Sequence, residues 1–379
     1  MARLAMLAAA LLPFGSAAVA QTLPDHGRQE QAIDWGASYK LDLSFGRDGS
    51  RRVQRLDNLD LTAGASLEPL GWSGVRAYVH LLGNSGARPN DRAGTLQGIN
   101  NIEVPKPGLR LFEAWIEQEF GRGSLRAGAY NLNGEFYVTD SSGLLLAPVF
   151  GIGSELAATG ARGPAIFPYS ALAVRGDVKL SRDGIVRAAL VNASAGTLFD
   201  KGGIDVDFGD GLLGIAEGGI EGSSGKLLVG AWAYSRRQEE HNPAGVGRHR
   251  AQGIYLLAEK PLADGLTAFG RAGLSDGRTS AFRGGWQIGF QREPAPFGSP
   301  GSAFAIGIHQ AWLSNGEQKT IALAGDRPSR TEAGAEITLR ERLLGPISIQ
   351  PSVQWIRNAG GIANTRGLLV GTLRLSIEL

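Results

Sequence analysis

The stretch of this chain richest in usable chemistry is Leu111 to Phe120, LFEAWIEQEF. At the two-residue period of a β-strand, one face carries Phe112, Ala114, Ile116 and Phe120 with Gln118, and the other Glu113, Trp115, Glu117 and Glu119. An indole ring can cover the apolar C–H face of a pyranose while carboxylate oxygens accept its hydroxyl protons, so the second face could hold a sugar. The other reading has Trp115 packed under a loop and the glutamates simply solvated. A two-residue turn at Arg122-Gly123 predicts that Glu119 lies opposite Arg126 and Trp115 opposite Tyr130. The same parity turns Arg76, Tyr78 and His80 inward on the third expected strand, and Arg175 and Asp177 inward on the sixth. Guanidinium forks among carboxylates either grip a neutral polar solute or stiffen a wall as internal ion pairs.

Other motifs carry less. The chain has no cysteine, which excludes disulfide scaffolds, thiol hydrolases and Cys-ligated metal sites. Gly273-Leu274-Ser275-Asp276-Gly277 has the letters of a nucleophile elbow, but no helix pattern follows it. Gly209 to Gly214 has those of a dinucleotide loop, yet it leads into a strand. The five histidines show no repeated ligand spacing. Asp200, Asp205, Asp207 and Asp210 cluster in one expected loop and are weak candidates for a divalent cation, without the EF-hand spacing. The expectation is no resident metal, no cofactor and no enzyme.

These side chains need a scaffold, and the chain's architecture is readable. It has 379 residues, 56 of them glycine, a net charge of +2 and a mean hydropathy of -0.07. That balance leaves no basic face for nucleic acid. Residues 1–20 hold Arg3, an apolar run and Ala18-Val19-Ala20, the pattern of a cleavable export signal, with 21–34 expected as a periplasmic segment. Beyond it no apolar run approaches the length of a spanning helix. From Trp35 onward, about sixteen segments of roughly ten residues alternate in polarity, as Ala171 to Leu180 does most clearly, although 212–221 and 250–260 alternate poorly.

The connections alternate between short ones, such as Gly121 to Gly123 and Gly222 to Gly225, and long ones, such as 84–109 and 193–211. A transmembrane antiparallel β-barrel over 35–379, with short turns at one rim and long loops at the other, accounts for this, whereas a β-sandwich has no reason to sort loops by parity. The longest connection, 132–170, has an apolar middle from Gly143 to Phe150 and reads as a constriction loop folded into the barrel. It would place Glu135, Tyr137, Asp140 and Glu155 at the eyelet. An outer lid is the alternative.

Between residues 56 and 168 the blocks LDNLDL, PLGW, QGINNIE, LFEAWIEQEF, GEFYVTDSSG, FGIGSEL and GPAIFP occur in order. In these the chain resembles the carbohydrate-selective porin (OprB) family of Gram-negative outer membranes. The resemblance implies a sixteen-stranded barrel in the outer membrane, a narrow charged eyelet and passive diffusion of small, glucose-like sugars. Its implied partners are those sugars, outer-membrane lipid and lipopolysaccharide, with protomers alone or as homotrimers. Leu379 departs from the family's usual terminal Phe. Rival readings are a general porin for solutes other than sugars, a barrel-borne hydrolase and a plugged adhesive barrel.

Overall fold

The computed structural model describes residues 33–46, 53–160, 162–198, 203–296 and 298–379. The expected export signal, residues 21–32 of the expected periplasmic segment, and Asp200 lie outside the described residues.

Sixteen antiparallel strands close into one barrel. They are β1 (Ile33–Gly46), β2 (Gln54–Ser66), β3 (Val75–Gly86), β4 (Gly108–Phe120), β5 (Gly123–Tyr130), β6 (Ala171–Lys179), β7 (Gly184–Asn192) and β8 (Leu212–Gly222), followed by β9 (Gly225–Tyr234), β10 (Gln252–Ala263), β11 (Leu266–Ser275), β12 (Phe282–Arg292), β13 (Ala303–Leu313), β14 (Thr331–Leu344), β15 (Ile347–Arg357) and β16 (Leu368–Glu378). Each pairs with its sequence neighbours, and β1 pairs with β16, so no edge remains to expose backbone groups to lipid. Leu379 continues that seam: its N–H donates to the Ala37 carbonyl at 2.8 Å and its carbonyl accepts from Ala37 at 3.2 Å. The barrel begins two residues earlier than expected, at Ile33, and one connection at the short-turn rim, 293–302, is longer than its neighbours.

Outward positions are apolar and exposed, as at Ile116, Leu125, Val174 and Val178. Trp35, Trp72 and Trp355 are exposed near the rims, while Trp232, which also lies near a strand end, is buried inside the barrel. Trp232 belongs to an apolar inner sector that also holds Leu213, Ile215, Leu228 and Tyr255. This sector explains the poor alternation of β8 and β10. Over residues 212–216 and 253–257 both of their faces are apolar, one against lipid and the other against a loop inside the barrel.

That loop is the connection between β5 and β6. Its residues Leu132, Phe136, Tyr137, Ile152 and Leu156 pack on the inner sector, and Leu144, Leu145, Ala147, Val149 and Phe150 pack on Phe269, Ala303 and Ala305. Burying so much irregular backbone requires partners for its amides. Wall glutamates supply them. Glu336 accepts from the N–H groups of Leu146 and Ala147 at 2.7 and 2.8 Å, and Glu259 from those of Asp140 and Ser141 at 3.0 and 2.5 Å. Glu217 accepts from Tyr137 N–H at 3.1 Å and Glu113 from Asn131 N–H at 2.9 Å. In the opposite polarity, the Arg271 guanidinium donates to the carbonyls of Tyr137 at 2.8 Å, Gly151 at 2.9 Å and Phe150.

Beneath this loop Glu155 is fully buried, accepting from the Tyr137 hydroxyl at 2.9 Å. Burial pushes its carboxyl up to about 7 against these hydrogen bonds, from an ordinary 4.5. Because the folded pKa is raised, the folded loop holds a proton that the unfolded chain releases near 4.5, so anchorage is complete below that pH and weakens as pH rises through about 7.

Two outcomes are expected. Amide exchange across residues 144–153 should be faster at pH 8 than at pH 5.5, by about tenfold beyond the intrinsic rate change, and Glu155→Gln should remove the difference; an equal ratio in both proteins would count against the titration of Glu155. Gly128 has a φ of +145°, and a Cβ there would stand 2.2 Å from the Ala114 carbonyl oxygen, so Gly128→Val should abolish the heat-modifiable folded band on gels. Gly176→Ala should keep that band, since its added carbon meets nothing closer than 3.7 Å.

Candidate functional site in the lumen

Among the described residues, two polar cavities stand out inside the barrel. The larger, about 680 Å³, opens toward the short-turn rim and is walled by β4 to β9 with Glu135 and Asp140 of the loop. The smaller, about 270 Å³, lies on the far side of the loop, against β1 to β4, β12 and β14 to β16.

Half of the fourteen sequence-predicted residues line the larger cavity, and all of these but Glu119 are held in ion pairs. β4 and β5 turn at Gly121-Arg122, not Arg122-Gly123, so Glu117 rather than Glu119 lies opposite Arg126, and Trp115 faces Gly128 rather than Tyr130. The slip is two residues, which keeps every side chain on its predicted face. Arg126 donates to Glu117 from Nε at 2.9 Å and approaches Glu135 at 3.6 Å. Arg175 donates to Glu135 at 2.8 Å from Nε and 2.5 Å from Nη2, and pairs with Asp177 through Nη1. Ser124 donates to Asp177 at 2.6 Å. Tyr130 donates its hydroxyl proton to Glu135. Burial pushes the Glu135 carboxyl upward, but the Arg126 and Arg175 guanidiniums outweigh it and hold it below its ordinary value. Arg187 with Glu217 and Glu221, and Lys226 with Glu221 and Asp140, extend the network along the wall. Glu119 is exposed at the cavity mouth. Arg76 sits on the inner face opposite Glu117, 3.7 Å from Asp34.

Three expectations need correction. Trp115 has no free ring face. Tyr78 stacks on one side at a centroid distance of 4.9 Å, and the Arg126 guanidinium lies 3.8 Å from the ring centroid. The indole is packed, so its role is to hold Arg126 and Tyr78 in place. Tyr137 and Glu155 are not at the eyelet either, because both are fully buried in the contact between loop and wall, with Tyr137 stacked on Tyr255 at 3.9 Å. Phe112, expected to face lipid, points inward. A β-bulge there leaves it unpaired between Leu111, opposite Leu81, and Glu113, opposite His80, and it packs edge-on against His80 and Phe167.

Beside His80 and Glu113, the smaller cavity collects groups from strands outside the third to sixth. The His80 Nε2 is 2.9 Å from Asp60 Oδ1, and Asp60 also accepts from Asn58 at 2.6 Å and lies 3.7 Å from Lys40. Arg374 donates to Asp42 at 2.8 Å and to Asn101 at 2.7 Å. Arg340, Gln350 and Glu113 add to the polar lining, and half-buried Phe167 adds an apolar face. The available signal was the same two-residue period: Lys40 and Asp42, Asn58 and Asp60, and Glu336 and Arg340 occupy alternate positions in expected strands. Phe167 carries no such mark, since a loop delivers it.

The acidic connection before β8 binds its own backbone. Asp205 accepts from the Asp207 N–H at 3.0 Å, Asp207 from the Gly209 N–H at 2.6 Å, and Asp210 is exposed. Among the described residues no three ligating side chains converge there.

In overall fold the chain is similar to the high-pH structure of Pseudomonas putida OprB, with a TM-score of 0.81 at 17% identity over 92% of this chain and 94% of that one. It is also similar to the outer membrane channel DcaP of Acinetobacter baumannii, with a TM-score of 0.57 at 9% identity over 92% and 97%, respectively. The anion-selective porin from Comamonas acidovorans gives 0.57 at 8% identity over 92% and 99%. No curated relative matches the sequence. The model of the family described as "Carbohydrate-selective porin, OprB family" matches residues 50–379. The chain therefore belongs to the OprB family of carbohydrate-selective porins, and it is an outer-membrane channel rather than an enzyme.

Proposed function

We propose that this porin passes small, glucose-like sugars by passive diffusion, and that the sugar is held weakly in the smaller cavity rather than against Trp115. The observation that carries this reading is the lining of that 270 Å³ space, where acceptors at Asp60 and Glu113 and donors at Lys40, His80 and Arg340 surround the face of Phe167. A pyranose presents hydroxyls around its edge and C–H groups on its faces, and this arrangement matches both. The larger cavity then acts as a polar vestibule. Its guanidiniums and carboxylates are paired in a mixed-sign network, so the wall favours a neutral polar solute over either ion. Permeation needs affinity high enough to recruit the sugar and low enough to release it.

In planar bilayers, glucose should block the open-channel current, and Phe167→Ala should weaken that block by about three- to tenfold, the worth of one aromatic face. Trp115→Ala should weaken it less. Equal losses in the two variants, or none with Phe167→Ala, would return the binding site to the β4 wall or remove it from the lumen. Arg175→Ala should leave Glu135 and Asp177 short of a counter-charge and raise the permeability of potassium over chloride about severalfold. An unchanged reversal potential would show that this cluster lies off the ion path.

A further inference from the structure

We propose that the outer wall from β7 to β11 binds a phosphorylated saccharolipid of the outer leaflet, with an acyl chain in a groove and the phosphates on an arginine rim above it. The groove, about 820 Å³, is on the lipid-facing surface and is apolar except at one end. Gly214, Ala216, Ala231 and Ala233 form its floor, and Leu190 and Ile254 stand as its banks. It follows the outer halves of the strands, since it takes the first residues of β8 and β10 and the last of β7, β9 and β11. Its outer end reaches Gln252, Ser275 and Asp276, where the wall becomes polar.

Directly beyond that end the charge is lopsided. Residues 235–250 and 276–283 hold six arginines, at 236, 237, 248, 250, 278 and 283, against three carboxylates, Glu239, Glu240 and Asp276. All six arginines are exposed, and none has an ion-pair partner among the described residues. Arg278 lies 3.4 Å from the His249 ring, which offers it no charge. This contrasts with the lumen, where Arg126, Arg175, Arg187 and Arg374 are each matched to a carboxylate. Guanidiniums left unpaired at the level of the headgroups, directly above an apolar trough, are complementary to a ligand with phosphates over acyl chains. A zwitterionic phospholipid would fill the groove equally well but leave the arginines unmatched.

The test uses the full-length protein, delipidated in detergent, folded and titrated with diphosphorylated lipid A or with phosphatidylethanolamine, with occupancy read by native mass spectrometry. The wild type should take up lipid A at concentrations about tenfold below those needed for phosphatidylethanolamine. The triple variant Arg236→Gln, Arg250→Gln, Arg278→Gln should lose that preference. Gly214→Leu should reduce occupancy by both lipids, because its added Cβ meets only Leu190 and a carbonyl at 3.7 and 3.8 Å and the larger side chain fills the trough. If that variant does not fold, Ala231→Leu puts the same bulk on an exposed outward position. Single-channel conductance should be unchanged in all of them. Equal uptake of the two lipids by the wild type, or a preference that survives the triple variant, overturns the proposal. So does a groove variant that alters the oligomeric state and not the lipid occupancy, which would make the trough a contact between copies of this chain.

Discussion

The interaction on which the rest of this molecule depends is a wall carboxylate accepting the backbone N–H groups of an infolded loop. A barrel of sixteen strands is wide enough to leave an open lumen, and what narrows it here is forty residues of irregular chain between β5 and β6. Such a chain carries a donor on nearly every residue, and each donor needs a partner once water is displaced. Glu113, Glu217, Glu259 and Glu336 provide them from four separate strands, two with a pair of adjacent amides each. Charge-assisted bonds of this kind are stronger than neutral ones, and spreading them around the wall fixes the loop at several points. Glu332 repeats the device for a second loop, accepting from Leu96 and Gln97 at 3.0 and 2.9 Å and from Gly360 at 2.8 Å.

This arrangement divides the lumen's charges into two uses. Some carboxylates hold backbone and some hold guanidiniums, and few stand free. The aromatic groups are divided in the same way: Trp115, Tyr137, Trp232 and Tyr255 are packed, while Phe167 borders open space. A pore wall that looks chemically rich from its sequence is therefore mostly committed to its own structure. Part of the space left inside the barrel lies where a loop delivers a half-buried ring beside strand-borne polar groups.

The strands themselves were legible because lipid on one side and water on the other impose a period of two that survives in Ala171 to Leu180 and in Glu113 to Phe120. Loop parity then identified the barrel, and the seven blocks between 56 and 168 its family. Legibility failed where the inner face is not wet. In β8 and β10, Leu213, Ile215, Tyr255 and Leu257 face a protein core, so the alternation fades for a reason that only the loop's position supplies.

Alternation alone, with the bulge at Phe112 as the exception, assigns most strand residues to one side of the wall or the other, because face follows parity and parity is local. That is why a turn misplaced by one residue, which shifts the pairing by two, still left Glu117, Arg126, Arg175 and Asp177 inside. Tertiary structure alone decided who touches whom. Whether Trp115 is a platform or a packed core residue depends on Arg126 and Tyr78 closing over it, and whether Glu155 meets water depends on a loop folding back over β11. Those contacts join residues far apart in the chain, and the two-residue period that writes a strand's faces into its sequence carries no trace of them.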